Sequence, residues 1–164
     1  MTAAPAADVA GRPARDLGDR LATAVSGASG VVGVGIDAVD LDRFRTVLAR
    51  RPRLAGRLFS GAEQEYAALA PDPVPRLATR FAAKEAVMKA LGVGLWSFRL
   101  TDVEVVRDGL EAPMVVLHDG AAALAGSRGV AHWHLSLTHT DTVAVAVAVA
   151  TVDVGRVRPP DGGG

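Results

Sequence analysis

Three charged residues in this chain stand out by the company they keep. Glu85 and Lys89 lie four apart inside an apolar stretch, and Asp37 ends the apolar run Val31-Val32-Gly33-Val34-Gly35-Ile36. Charges held close to a core need partners such as each other, a metal ion or an anionic ligand. The plain alternative for Glu85 and Lys89 is a surface i, i+4 pair worth about 0.2–0.5 kcal/mol. Asp37 at a strand-to-helix junction is open to two readings, a second helix cap or a metal ligand.

The elements that would carry these groups are legible in outline. Arg80 to Gly94 carries the end of a helix expected from about Val74 to Leu91: it is rich in Ala, Lys, Glu, Met and Leu, free of proline, and has Gly92 placed as a stop before the Gly92-Val93-Gly94 turn. At about 100° per residue, Glu85 falls among Phe81, Ala82, Met88 and Lys89, with Ala83, Val87, Ala90 and Leu91 opposite. A helix apolar on nearly all sides is expected to be buried. Gly33 and Gly35 allow another backbone or a ligand to approach the first strand. Asp40 is a candidate N-cap for a helix over Leu41–Arg50 with apolar Leu41, Phe44, Val47 and Leu48. Ser60 and Glu63 have the capping-box spacing for a second helix, and Pro71, Pro73 and Pro75 separate it from the central one.

The second half reads as strands: Leu100–Arg107, Pro113–Leu117, Ala131–His139 and Thr142–Val152, with a short Ala-rich helix over Gly120–Gly126. The Val/Ala run of Thr142–Val152 is apolar on both faces and is expected at the centre of the sheet. Thr140-Asp141-Thr142 would close a tight hairpin. Alternation puts His132, His134, Ser136 and Thr138 on one face, and Trp133, Leu135, Leu137 and His139 on the other. Helices first and a mostly antiparallel sheet second indicate α+β.

Composition excludes several classes. The 164 residues suit one domain, and with aromatics at 4% its core must come from Val, Leu and Ala. Eighteen basic residues balance eighteen acidic ones, so no global field points to nucleic acid. The run from Arg43 to Arg57 nevertheless carries six arginines (Arg43, Arg45, Arg50, Arg51, Arg53 and Arg57) and no acid, either a solvated face or a landing site for an acidic partner. Without cysteine there is no disulfide, thiol nucleophile or cysteine zinc site. His132 and His134 lack a third ligand at zinc spacing, and P-loop and G-x-S-x-G patterns are absent. No apolar run reaches membrane-spanning length, so a cytoplasmic protein without membrane or nucleic-acid partners is expected. Residues 1–30 read as a flexible extension that could hold one short helix over Asp16–Ser26. Residues 31–154 read as the folded unit and 155–164 as a tail.

Three stretches, in this order and spacing, resemble the 4′-phosphopantetheinyl transferases, specifically their small holo-[acyl-carrier-protein] synthase subgroup. They are Gly35-Ile36-Asp37-Ala38-Val39-Asp40-Leu41-Asp42-Arg43-Phe44, then Arg80 to Gly94, then Leu135-Ser136-Leu137-Thr138-His139 with Ala144-Val145-Ala146. The resemblance covers Val31 to Val152 and implies that family's fold, a long central helix packed on a mostly antiparallel sheet. It implies transfer of phosphopantetheine from coenzyme A to a serine of an acyl carrier protein, dependent on Mg²⁺ (with Mn²⁺ as substitute), with release of adenosine 3′,5′-bisphosphate. The carrier would belong to fatty-acid or polyketide synthesis. A member that only binds CoA or the carrier is the alternative.

By the same resemblance, Asp37 and Glu85 match the metal-binding acids, and Lys89 matches a catalytic lysine at the phosphates. Arg80, Lys84, Gly92, Gly94 and His139 are expected at CoA, and Arg43 with Arg50 at the acidic helix of the carrier. A homotrimer with shared sites is also implied. Gly109-Leu110-Glu111-Ala112-Pro113 departs from the family's shorter hairpin before the middle strand, and the 30-residue extension is unusual.

Overall fold

In the computed structural model, residues 30–95, 97–107 and 111–153 are described. The expectations for residues 1–29, for 155–164 and for the tip of the 109–113 hairpin lie outside them. The chain runs from β1 (Val31–Asp40) into α1 (Leu41–Arg50), then α2 (Ala55–Leu58), α3 (Gly61–Ala68) and the long α4 (Val74–Ala90). A second half follows: β2 (Val103–Val106), β3 (Met114–Leu117), α5 (Asp119–Ser127), β4 (His132–His139) and β5 (Val143–Thr151). Leu100–Asp102, expected as the start of a strand, is a 3₁₀ turn instead. The main sheet is antiparallel with order β1-β5-β4, so the Val/Ala strand is central as expected, and β2 and β3 form a separate antiparallel pair.

Local chemistry sets the boundaries. The Asp40 carboxylate accepts the Arg43 amide at 2.8 Å, capping α1. The Leu41 amide donates to the Thr142 carbonyl at 2.8 Å, tying the start of α1 to the β4–β5 hairpin. Ser60 and Glu63 form the capping box of α3. At the end of α4, Gly92 takes a φ of 62°. Its amide donates to the Lys89 carbonyl and that of Val93 to the Met88 carbonyl, the paired bonds of a Schellman stop. That left-handed turn is what requires glycine at position 92.

β5 shows why so few aromatics suffice. Ala144, Ala146, Ala148 and Ala150 are fully buried and face α4, whose Ala78, Ala82, Ala83 and Ala86 are also fully buried. Small side chains on both surfaces bring helix and sheet close, and β1 comes closest. A Cβ on Gly33 would lie 2.0 Å from the Ala90 carbonyl oxygen, and one on Gly35 would lie 1.9 Å from that of Ala86. Two strand residues span about 6.6 Å and four helical residues about 6 Å, so strand and helix advance in step from one contact to the next. The other face of the sheet, with Val34 at 51% and Ile36 at 60% exposure, is open to solvent.

Gly35→Ala should therefore push α4 off β1. We expect a loss of about 3 kcal/mol or more in urea-unfolding stability; a variant as stable as wild type would show that this approach is not rigid.

Candidate active site

Period two along β1 puts Gly33, Gly35 and Asp37 on the face that meets α4. Asp37 does not cap a helix; that role belongs to Asp40. The Lys89 ammonium donates to Asp37 Oδ1 at 2.7 Å and to the Ile36 carbonyl at 2.9 Å. Helical Cα–Cβ bonds tilt toward the N-terminus, which lets Lys89 reach back over the preceding turn. The pair is uneven in burial, with side-chain exposure of 12% for Asp37 and 50% for Lys89. Glu85 is half-buried one turn before Lys89. Burial first, and then the Asp37 charge, push the Glu85 carboxyl above its ordinary value, with Lys89 offsetting part of this. Asp37 and Glu85 line one cleft of about 540 Å³, floored by apolar groups including Phe44, Phe81 and Leu100 and edged by Arg43.

The structure brings together Asp37, Glu85, Lys89 and Arg43, and it moves two expected ligand contacts away. Lys84 is fully buried. Its ammonium donates to Glu63 Oε2 at 2.7 Å, to the Leu100 carbonyl at 2.9 Å and to the Val103 carbonyl, so all three donors are taken inside the protein. Burial lowers the Lys84 pKa and the Glu63 charge counters this. Arg80, expected at a CoA phosphate, is 3% exposed. Its guanidinium lies 4.1 Å from the Tyr66 ring centre and donates to the Arg76 carbonyl at 3.2 Å. The reason is rotational: the helix is apolar nearly all round, so its inward charges need core partners, and α3 supplies Glu63 and Tyr66. The deeply buried charges of α4 are thus Arg80 and Lys84, whereas Glu85 and Lys89 reach the surface.

Gly94 sits in open space. His139, exposed at the end of β4 on the helix-facing side, lies across from Ala144. Arg43 and Arg50 are two turns apart on one side of α1 with Val47 between them. Arg45, in the same run, is held by a two-pronged bond to Asp72 at 2.7 and 3.1 Å and is not free for a partner.

Sequence reasoning missed Glu63 as more than a cap. Its carboxylate accepts from Lys84, from the Ser60 amide and from the Val105 amide. The neighbouring Glu104 accepts from Ser60 Oγ at 2.6 Å and pairs with His118 at 3.0 Å. The Ser60 bond, followed by the His118 contact, holds the Glu104 carboxyl below its usual range. Apart from the Ser60–Glu63 cap, the partners lie 14 to 44 residues apart in sequence, and no local pattern marks them.

Two measurements follow. Lys84→Met strands a fully buried carboxylate, so unfolding free energy should fall by about 3–5 kcal/mol; a fall below 1 kcal/mol would contradict the pairing. Glu85 titrates above its unfolded value of 4.5, so its ionisation opposes folding. That penalty is absent below the unfolded pKa, grows as pH rises toward the folded one, and is complete above it. In metal-free buffer, Glu85→Gln should therefore melt higher than wild type at pH 7, the gap closing as pH approaches 4.5; a gap that widens toward acid would contradict this.

Comparison with known proteins agrees with this architecture. The family model of the 4′-phosphopantetheinyl transferase superfamily matches residues 33–148. A holo-[acyl-carrier-protein] synthase of Moorella thermoacetica is 44% identical over 105 residues, 64% of this chain and 82% of that protein. One from Frankia casuarinae is 50% identical over 112 residues, 66% of this chain and 87% of that protein. Among solved structures, the Bacillus anthracis holo-(acyl-carrier-protein) synthase in complex with CoA (3′,5′-ADP) aligns with a TM-score of 0.63 at 28% identity, over 76% of this chain and 99% of that one. Sequence and fold converge: the chain belongs to the 4′-phosphopantetheinyl transferase superfamily.

Proposed function

We propose that this protein is a holo-[acyl-carrier-protein] synthase, moving 4′-phosphopantetheine from coenzyme A to a serine hydroxyl of an apo acyl carrier protein. The observation that carries the reading is the meeting of Asp37, Glu85 and Lys89 beside one cleft, in a chain whose relatives bear that name.

The residues fit a divalent cation. Burial and the Asp37 charge destabilise the ionised Glu85 carboxylate, which a cation would offset, and both donors are hard oxygens, which suit Mg²⁺ or Mn²⁺. Among the described residues no cluster of three or more His, Cys, Asp or Glu side chains forms a metal site. One or two carboxylates together with substrate phosphate oxygens and several waters is the ligand set Mg²⁺ commonly takes. When bound, the ion supplies charge neutralisation on the phosphoryl oxygens. Asp37 and Glu85 would hold it, and Lys89 would place a further positive charge toward the diphosphate of CoA. The carrier serine oxygen forms a bond to the phosphorus that bears the pantetheine. The bond from that phosphorus to the bridging oxygen breaks, and adenosine 3′,5′-bisphosphate leaves with the electron pair. The serine proton would pass to a water oriented by Asp37 or Glu85.

The surroundings support the partners. Arg43 and Arg50 present positive charge for the acidic helix of a carrier, with Arg43 at the lip of the cleft. His139 and Gly94 are exposed and remain candidates for CoA contact. Val34 and Ile36 are exposed apolar residues on the open sheet face, which a homotrimer built on that face would cover. Among the described residues no helix is long and apolar enough to cross a membrane.

Asp37→Ala and Glu85→Ala should each cut Mg²⁺-dependent transfer by about 10³-fold, the factor that several kcal/mol of lost charge stabilisation represents, with circular dichroism unchanged. Wild-type turnover in either variant would sink the assignment.

A further inference from the structure

On a helix, a glutamate followed four residues later by a lysine normally forms the pair. Here the ammonium of Lys89 passes over Glu85 and is bonded to Asp37 and the Ile36 carbonyl. Glu85 makes no hydrogen bond or ion pair among the described residues, although it shares the cleft with Asp37. Arg43, the cation that lines the cleft itself, gives its backbone amide to Asp40 and no side-chain hydrogen bond to Asp37 or Glu85. The three acids of the cleft, Asp37, Asp40 and Glu85, therefore exceed Arg43 and the bonded Lys89 by one, and the site keeps a net charge of minus one. Adding a divalent ion while Lys89 stays would make it plus one, beside a bonded ammonium. Cations at such separations repel by more than thermal energy even in water. A phosphate anion entering with the ion removes that excess and gives Lys89 a new partner.

We propose that Lys89 is a built-in stand-in for the metal, holding Asp37 so that the acids take up a bare divalent ion poorly and accept one readily only together with a phosphate-bearing ligand. The inference rests on the reading of Asp37 and Glu85 as the metal ligands. It gives Lys89 a role before chemistry, in deciding what enters the site, and it ties metal uptake to coenzyme A binding through one side chain. Because such coupling is reciprocal, the ion favours the ligand by the same factor that the ligand favours the ion.

The experiment is titration of the purified protein with Mn²⁺ alone, read by the loss of the free-ion electron paramagnetic resonance signal. Lys89→Met removes the charge and keeps the length. Lys89→Arg keeps the charge and guards against a packing effect, and half-exposure of Lys89 leaves both variants free to fold. Lys89→Met should bind Mn²⁺ about tenfold more tightly than wild type, as expected for one relieved cation contact, and Lys89→Arg should stay near wild type. With coenzyme A present, and its own ion binding subtracted, the affinities of wild type and Lys89→Met should converge. Equal or weaker Mn²⁺ binding by Lys89→Met, with binding lost in Asp37→Asn, overturns the stand-in role and leaves the metal site standing. Absence of saturable Mn²⁺ binding in every protein, with or without coenzyme A, overturns both.

Discussion

The main-chain contact between β1 and α4 is the constraint on which the rest of the structure depends. Gly33 and Gly35 leave no room for a Cβ against the carbonyls of Ala90 and Ala86. That approach fixes the helix along the strand, and the next residue in the strand's period is Asp37. Without it the acid on the strand and the groups on the helix would not share a cleft. The alanine face of β5 serves the same end, since bulkier side chains there would lift α4 from the sheet. Small residues here set distance, and distance sets the electrostatics of the site.

Neighbouring positions of α4 then divide the work. Lys84 turns inward and is satisfied by Glu63 and two carbonyls from the segment around β2, which fixes the rotation of the helix about its axis. Glu85, about 100° further round, faces the cleft, where burial and the Asp37 charge destabilise its ionised carboxylate. The inward pair is closed and has no capacity left for a ligand. The outward group retains that capacity because Asp37 and Glu85 outnumber the single lysine bonded between strand and helix.

Much of this was legible in the sequence because the signals were local. The caps at Asp40 and Ser60, the glycine stop at Gly92, the alternation of β4 and the Val/Ala pattern of β5 each follow from residues within one or two turns or pleats. The spacing Gly33-x-Gly35-x-Asp37 carried both the close approach and the side on which the acid falls. What failed was the facing of charges on a helix that is apolar all round. Periodicity gave no stripe by which to decide whether Lys84 or Glu85 points inward, and the deciding partner, Glu63, lies 21 residues away in sequence. Arg80 was misplaced for the same reason, since Tyr66 covers it from another element. Leu100–Asp102 reads as the start of the strand that carries Val103, Val105 and Val106, yet its amide and carbonyl groups go to a 3₁₀ turn and to His118.

The central claim is chemical, and intact mass reads it directly. An apo acyl carrier protein incubated with this protein, coenzyme A and Mg²⁺ should gain the mass of one phosphopantetheine group, and a chelator should abolish the gain. A carrier that binds the protein and coenzyme A but keeps its apo mass, across fatty-acid and polyketide carriers alike, would contradict the account and leave a fold that binds without transferring.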